Sequence, residues 1–160
     1  MAIGGTTTSS SNYSSKRTPP APLNSGVRRP MQIDNNTFQK HLDKPATWEE
    51  HSYRYCTFEG VSTEGSHVTS TFIDCTFLDC DMYWALFNLS VFVGIKFKGC
   101  TFRGCAFSGC RFVECSFEDC NFTLDSFGKG CTFEESRWYG CNQRNTSGLN
   151  GASALGIIDA

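Results

Sequence analysis

The sequence predicts an all-β coil in which each side is a short extended segment followed by a corner. Three observations support this: a large side chain recurs every five residues, a small one recurs two positions before it, and glycines recur at the corner positions. A period of five fits neither the 3.6-residue period of a helix nor the alternation of one long strand. Because alternate strand residues point to the same side, we expect the large and small residues to share the interior.

The repeat is longest between residues 70 and 127, where it runs through twelve units without a gap. Shorter runs flank it in a shifted frame, with Tyr53 and Phe58 before it and Phe133 and Trp138 after it. The small positions run from Ser70 to Asp125. The large positions are Phe72, Phe77, Met82, Phe87, Phe92, Phe97, Phe102, Phe107, Phe112, Phe117, Phe122 and Phe127.

The units CTFRG, CAFSG, CRFVE and CSFED (residues 100–119) resemble the pentapeptide-repeat family, whose loose pattern is small, polar, Leu or Phe, polar, polar. The resemblance covers about residues 53–141. It implies a right-handed quadrilateral β-helix, a pentapeptide-repeat solenoid with about four units per turn. At about 4.8 Å per turn, three turns from residues 70–129 and one or two from the flanks predict a coil roughly 20 to 25 Å long.

Four segments are expected along the chain. Residues 1–30, rich in Ser, Thr, Gly and Pro, are expected to be a disordered tail because they contain few large apolar side chains. This tail would serve as a linker, a recognition segment or an export signal. Residues 31–52 are expected to form an N-terminal cap, residues 53–141 the β-helix, and residues 142–160 a C-terminal cap or tail.

Both open ends of so short a solenoid need covering. At the first end we expect a short helix that begins at Asn36 or Thr37 and ends before Pro45. The apolar residues expected to cover the two ends are Phe38, Leu42 and Trp48 at one, and Trp138, Tyr139, Leu155, Ile157 and Ile158 at the other.

The chain contains ten cysteines, and the repeat predicts that residues twenty apart stack into columns such as Cys80, Cys100 and Cys120. A zinc site needs converging ligands, whereas a five-residue step sends successive thiols to different walls. Stacked thiols near 5 Å apart at Cα meet the distance for a disulfide but seldom its dihedral angle. We therefore interpret the cysteines as small hydrophobic core residues, with disulfides and a metal site as the alternatives.

Catalytic chemistry is not evident in the sequence. His41, His51 and His67 all precede the regular run and none lies in a recognisable motif. Asp125 is the one carboxylate at a small inward position, where we expect it to be hydrogen-bonded at the end of the coil or to mark a distortion. We predict no enzymatic activity, no cofactor and no metal.

The formal net charge is −2, and residues 51–143 contain 11 acidic and 7 basic residues, a difference of −4. This balance argues against strong binding to nucleic acid or to an anionic membrane. No apolar run approaches the length of about 18 residues that a membrane span needs, and the N-terminus has no hydrophobic signal core. We expect a cytoplasmic protein, with export by a route that needs no such core as the alternative.

We therefore expect the function to lie on the outward positions of the coil. Several of these positions carry apolar side chains, which is unusual for residues that face solvent. Such an exposed apolar patch typically marks a partner surface, although the N-terminal segment or the C-terminal tail is the alternative cover. The candidate partner-binding residues are Ile73, Tyr83, Trp84, Leu86, Leu89, Val91, Val93 and Val113.

The leading functional hypothesis is a non-catalytic protein-protein interaction module of the bacterial pentapeptide-repeat type, as an adaptor, a chaperone-like protein or an effector-associated scaffold. Its partner would be a protein of unknown identity, with a homodimer as one form of self-association. The resemblance also implies a second hypothesis, a DNA mimic that binds a type II topoisomerase, although those relatives are implied to be long, dimeric and strongly acidic rods. The third hypothesis is a secreted effector with an unstructured export signal.

Overall fold

The structure of the protein, a computed structural model, describes residues 30–39, 48, 50–149 and 155–160. These residues form short strands joined by tight corners. The strands are β1 (Gln32–Asp34), β2 (Thr37–Gln39), β3 (Ser52–Arg54), β4 (Thr57–Glu59), β5 (Ser62–Glu64), β6 (His67–Val68), β7 (Thr71–Ile73), β8 (Thr76–Leu78), β9 (Asp81–Tyr83), β10 (Leu86–Asn88), β11 (Val91–Val93), β12 (Lys96–Lys98), β13 (Thr101–Arg103), β14 (Ala106–Ser108), β15 (Arg111–Val113), β16 (Ser116–Glu118), β17 (Asn121–Thr123), β18 (Arg137–Tyr139), β19 (Cys141–Arg144) and β20 (Ile157–Asp159).

The strands stack in parallel into four walls, which we number in the order in which each turn of the chain visits them. The first wall has the order β1-β3-β7-β11-β15-β18, the second β2-β4-β8-β12-β16-β19-β20, the third β5-β9-β13-β17 and the fourth β6-β10-β14. From β3 to β17 every fourth strand returns to the same wall, which confirms the predicted quadrilateral β-helix. The coil has about six turns and is roughly 30 Å long at the usual strand spacing, so it is longer than predicted.

The spacing of stacked residues changes twice along the coil. Phe72, Phe92 and Phe112 stack at intervals of twenty residues. Before them the interval is nineteen, since Tyr53 pairs with Phe72, and after them it is twenty-six, since Phe112 pairs with Trp138. The shifted frames in the sequence therefore result from one missing residue before β7 and six additional residues after β17. Both changes fall at corners between strands, where a change in length leaves the walls intact.

The large residues form continuous columns of aromatic rings inside the coil. On the first wall the ring centroids of Phe72 and Phe92 are 5.2 Å apart, those of Phe92 and Phe112 are 4.8 Å apart, and those of Phe112 and Trp138 are 3.9 Å apart. Adjacent columns meet edge to face or tilted, as Phe97 and Phe102 do. These stacked and tilted ring pairs stabilise the coil in addition to the stabilisation from the apolar area that the rings bury.

The small inward residues contribute a hydrogen bond as well as volume. The thiol of Cys100 donates to the carbonyl of Phe77 at 3.4 Å, the hydroxyl of Ser90 to Val68 at 2.7 Å and that of Thr146 to Phe117 at 3.0 Å. Each bond reaches the preceding turn, where the carbonyl belongs to a large inward residue. Cys, Ser and Thr therefore supply a donor at a position where Ala would supply none.

All ten cysteines are free thiols, and nine of them are buried. Burial raises the pKa of the Cys75 thiol to about 11. Within the part of the chain that the structure describes, no group of three or more His, Cys, Asp or Glu side chains is placed to hold a metal ion. Nine buried thiols, several of which donate to backbone carbonyls as Cys100 does, pack as the small interior residues that the sequence predicted.

The segment predicted as an N-terminal cap begins the coil itself. Ile33 and Phe38 pair with Tyr53 and Phe58 one turn later, so the predicted helix start at Asn36 or Thr37 is wrong. The reason is visible in the spacing, because residues 33, 38, 48 and 53 continue the five-residue period. Trp48 is a buried residue of this first turn and forms a bridge with Val68, whereas Leu42 and Pro45 lie outside the described residues.

At the other end, three of the five residues expected to cover the core do so. Trp138 and Ile157 are buried and Leu155 packs against them. Tyr139 and Ile158 are exposed, because each follows a buried residue in its strand and so points outward. Of the expected tail, residues 1–30, all but the last residue also lie outside the described residues. In the ranges given above, the structure has no helix long and apolar enough to cross a membrane.

Candidate functional site

Six additional residues after β17 interrupt the repeat. Without residues 124–129, LDSFGK, the sequence would read CNFTG followed by CTFEE, two unbroken units. The interior series resumes at Cys131 and Phe133, so the prediction of an inward Phe127 and an inward Asp125 is wrong. Phe127 is instead 76% exposed and Asp125 lies in the inserted loop. The five-residue spacing matched these two residues by coincidence, because the insertion exceeds one unit by a single residue.

The carboxylate of Asp125 organises this loop. Its Oδ1 accepts hydrogen bonds from the amides of Phe127 and Lys129, both at 2.8 Å, and its own amide donates to the Lys129 carbonyl at 2.8 Å. The Lys129 amide, followed by the indole of Trp84, lowers the pKa of Asp125 below its usual value. The charged carboxylate therefore holds the loop against the coil.

Trp84 lies at the corner between the third and fourth walls, next to this loop. Its φ is 52°, in the left-handed region that costs a bulky residue about 1 to 2 kcal/mol. Its indole N–H donates to Oδ2 of Asp125 at 2.8 Å. Its ring stacks on Tyr83 with centroids 4.4 Å apart and on Phe127 with centroids 5.6 Å apart. We call Tyr83, Trp84 and Phe127 the aromatic corner.

Tyr83 is held by polar contacts on the third wall. Its hydroxyl lies 2.6 Å from the hydroxyl of Ser126, and the guanidinium of Arg103 lies 4.7 Å from its ring centroid. Arg103 in turn donates to both carboxylate oxygens of Asp81, at 2.8 and 3.2 Å. These contacts fix the orientation of the stacked rings before any partner is present.

Gly104 leaves space for the inserted loop because it has no side chain. Its φ is 57°, and an added Cβ would lie 2.6 Å from Cβ of Asp125. Beside it a groove of about 460 Å³ opens on the surface. Residues lining the groove include Trp84, Ala106, Asp125, Phe127, Lys129 and Thr132. A glycine at this corner therefore allows the aromatic corner and the groove to form side by side.

The structure divides the eight predicted partner-binding residues into two groups. Four lie on the first wall and form what we call the valine face: Ile73, Val91, Val93 and Val113. Tyr83 and Trp84 lie on and beside the third wall, which is opposite. Leu86 on the fourth wall and Leu89 at its corner, 70% exposed, lie between the two groups. The residues form a belt around the coil and not the single patch that the sequence suggested.

Sequence reasoning missed the contribution of the insertion. Leu124 and Phe127 are among the most exposed apolar side chains in the described part of the chain. Two signals were available, the carboxylate of Asp125 in a series of small uncharged residues and the offset of Cys131 from that series. The site as a whole combines flat rings, a groove and polar groups already hydrogen-bonded to one another.

Comparisons with known proteins agree with this architecture. The family model for pentapeptide repeats (8 copies) matches residues 100–123. No curated protein matches the chain. Among solved structures, a pentapeptide repeat protein (Rfr23) from the cyanobacterium Cyanothece 51142 superimposes with a TM-score of 0.54 at 9% identity, covering 72% of this chain and 86% of that chain. At that identity the likeness shows the fold.

Two further similar structures superimpose more loosely. QnrB1, a plasmid-mediated fluoroquinolone resistance protein, has 12% identity and a TM-score of 0.26 over 81% of this chain and 93% of that chain. A pentapeptide repeat protein from the Arabidopsis thaliana thylakoid lumen has 14% identity and a TM-score of 0.24 over 76% and 71%. Residues 100–123 are therefore matched as pentapeptide repeats, and the five-residue spacing and the quadrilateral coil extend the same architecture through the rest of the described coil.

Proposed function

We propose that this chain is a non-catalytic module that binds a protein partner through the aromatic corner. The observation that carries the proposal is the exposed Trp84 in a left-handed conformation, stacked on Tyr83 and Phe127 and anchored by Asp125. Most other left-handed corners carry Gly, Asp, Asn or Glu, and two carry the exposed side chains of Tyr55 and Leu89. Trp84 differs from these two because it is stacked on two rings and hydrogen-bonded to the inserted loop, and a bulky side chain held in this way at a strained corner supports a binding role.

The aromatic corner also has the composition of a binding hot spot, the small group of residues that contributes most of the affinity of an interface. Trp, Tyr and Arg are the residues that contribute most to measured protein-protein affinities. Here Trp84, Tyr83 and Arg103 are already held by stacking and hydrogen bonds. Because their rotamers are ordered in the free protein, association loses less conformational entropy.

We place this module in the role of an adaptor or scaffold in the cytoplasm. The free thiols suit a reducing compartment, and the coil presents different surfaces on its different walls. The outer surface carries Arg103, Arg111 and Arg137 among its acidic residues, which supports a protein-binding module over an acidic DNA mimic. Binding to a second copy of the chain remains one form of the same proposal.

The test is recovery of binding partners from extract of the source cells with tagged protein, followed by mass spectrometry. We compare the wild type, Trp84→Ala and the deletion of residues 124–129, which restores the unbroken repeat while removing Phe127 and Asp125. Tyr55→Asn is the matched control, because Tyr55 is an exposed aromatic residue at another left-handed corner where Asn is favourable.

We expect one or more specific partners that the wild type and Tyr55→Asn retain and that both aromatic-corner variants lose. Circular dichroism of each variant establishes that the coil remains folded. Partners retained by both aromatic-corner variants would contradict the proposal, as would the absence of any specific partner.

A further inference from the structure

Two arginines lie side by side on the first wall, and neither forms an ion pair with another described residue. Arg111 of β15 pairs in register with Arg137 of β18, and both side chains are exposed. Neighbouring strands are about 4.8 Å apart, and like charges directly opposite each other destabilise a sheet. An anion held between the two guanidinium groups would remove this repulsion.

The other arginines of the coil are already engaged. Arg103 pairs with Asp81, Arg144 pairs with Glu118, and Arg54 lies over the ring of Tyr55. Among residues 50–149, by contrast, neither Arg111 nor Arg137 forms an ion pair or a side-chain hydrogen bond. The two are therefore distinguished from Arg103 and Arg144 by their free guanidinium donors, and from Arg54 by lying next to each other.

A groove of about 580 Å³ runs beside the pair, lined by Gly109, Arg111, Glu135, Ser136 and Arg137. Glu135 is the one carboxylate in this lining, and it forms no ion pair with either arginine. The hydroxyl of Ser136 is occupied, since it donates to Phe107 and accepts from the amide of Cys110. The groove thus has an excess of positive charge and guanidinium donors that no side chain of the groove uses.

The arginines continue the valine face. From β7 to β18 the outward residues of the first wall form two columns, one with Thr71, Val91, Arg111 and Arg137, the other with Ile73, Val93, Val113 and Tyr139. The arginine pair is therefore flanked by aliphatic and aromatic surface. The acidic residues Asp74 and Glu114 lie beyond the second column, at the opposite corner of this wall, so Glu135 is the carboxylate on the arginine side.

We propose that this face is a second docking surface, for a protein segment that carries carboxylates beside aliphatic side chains. A carboxylate of the partner lies between Arg111 and Arg137, in the paired geometry that guanidinium groups favour. Its aliphatic residues pack on Val93 and Val113. The inference rests on the proposed interaction function but uses a different wall from the aromatic corner.

The probe is a phage library of random eight-residue peptides, selected on the immobilised full chain. We expect the wild type and Trp84→Ala to enrich peptides with Asp or Glu next to Val, Ile or Leu. The double variant Arg111→Gln, Arg137→Gln is expected not to enrich them. Loss of the enrichment in Trp84→Ala alone would assign binding to the aromatic corner and would overturn this second site.

An enriched peptide is then titrated by fluorescence anisotropy. We expect its affinity to fall about tenfold or more in the double Gln variant and to weaken with salt, because charge-assisted hydrogen bonds are lost or screened. Val93→Ser, on the same face but uncharged, should weaken binding without changing its salt dependence. Absence of acidic enrichment, or equal affinities of the wild type and the double Gln variant, would overturn the proposal.

Thermal unfolding of the unbound protein gives a second readout. At low ionic strength Arg111→Gln is expected to unfold at a higher temperature than the wild type, because it removes the unscreened repulsion from Arg137. The difference should shrink at about 0.5 M salt, where the Debye length falls to a few ångströms. An Arg111→Gln variant less stable than the wild type at low salt would mean that Arg111 has a structural partner, and this would overturn the proposal.

Discussion

The indole of Trp84 donates to the carboxylate of Asp125 at 2.8 Å across 41 residues of sequence. The same carboxylate accepts the amides of Phe127 and Lys129. One side chain thus sets both the shape of the inserted loop and the orientation of the exposed indole, so the loop and the corner form one unit.

Asp125→Asn separates these two roles. The amide oxygen of Asn still accepts from the loop amides, but its NH₂ group replaces the acceptor that faces the indole N–H. We expect the loop to remain and Trp84 to become more mobile, measured as a lower tryptophan fluorescence anisotropy. Partner binding at the aromatic corner should weaken in parallel, and an unchanged anisotropy would show that stacking alone holds the indole.

Acidification of the wild type should reproduce part of this change. The pKa of Asp125 is lowered in the folded protein, so its charged form contributes stability that is fully present above the usual aspartate pKa of about 4. That contribution is lost as the pH falls through the lower pKa of the folded state. The anisotropy transition should therefore lie below about pH 4, and Asp125→Asn should lack it.

Gly104→Ala tests the close approach of the loop to the coil. A Cβ would lie 2.6 Å from Cβ of Asp125, in addition to the left-handed strain of about 1 to 2 kcal/mol. Gly60→Ala is the matched control, since its φ is 60° but nothing lies within 4 Å of its added Cβ. Urea unfolding should show a larger loss of stability for Gly104→Ala, and equal losses would mean that the loop shifts freely.

Deletion of residues 124–129 should leave the coil folded. The junction joins Thr123 to Gly130 and restores five-residue units, and shorter loops change closure entropy only slowly with length. We expect a far-ultraviolet circular dichroism spectrum close to that of the wild type and a change in unfolding free energy below about 1 kcal/mol. Collapse of the fold would instead show that the insertion supports the last turns.

Thiol reactivity should distinguish Cys131, which is half-buried, from the buried cysteines of the interior columns. Nine thiols are buried, whereas Cys131 is half-buried and its pKa is lowered by a hydrogen bond with Cys105. At pH 8 we expect one thiol to react quickly with a disulfide reagent and the others only as the coil opens. Cys131→Ser should abolish the fast phase, and several fast thiols in that variant would contradict the packing of the columns.

Much of the architecture follows from the sequence because each turn contacts only its neighbours. The interior positions of Phe72, Phe92 and Phe112 are predicted correctly from the sequence. Each follows a small inward residue by two positions, so it points to the same side of its strand, and each lies twenty residues from the next, so the three stack. The same local rule explains why Cys100 lies in the core. Local spacing thus determined the walls, the interior and the outward direction of the candidate surface residues.

The tertiary structure determines where the five-residue spacing no longer predicts the direction of a side chain. Phe127 and Asp125 satisfy the five-residue spacing, yet the hydrogen bonds of Asp125 to the loop amides and to Trp84 hold both outside the coil. The inserted loop also lengthens the interval between Arg111 and Arg137 from twenty to twenty-six residues, so their pairing follows from the five-residue period only when the loop is left out of the count. The aromatic corner, by contrast, depends on contacts between residues far apart in sequence, which no local period encodes.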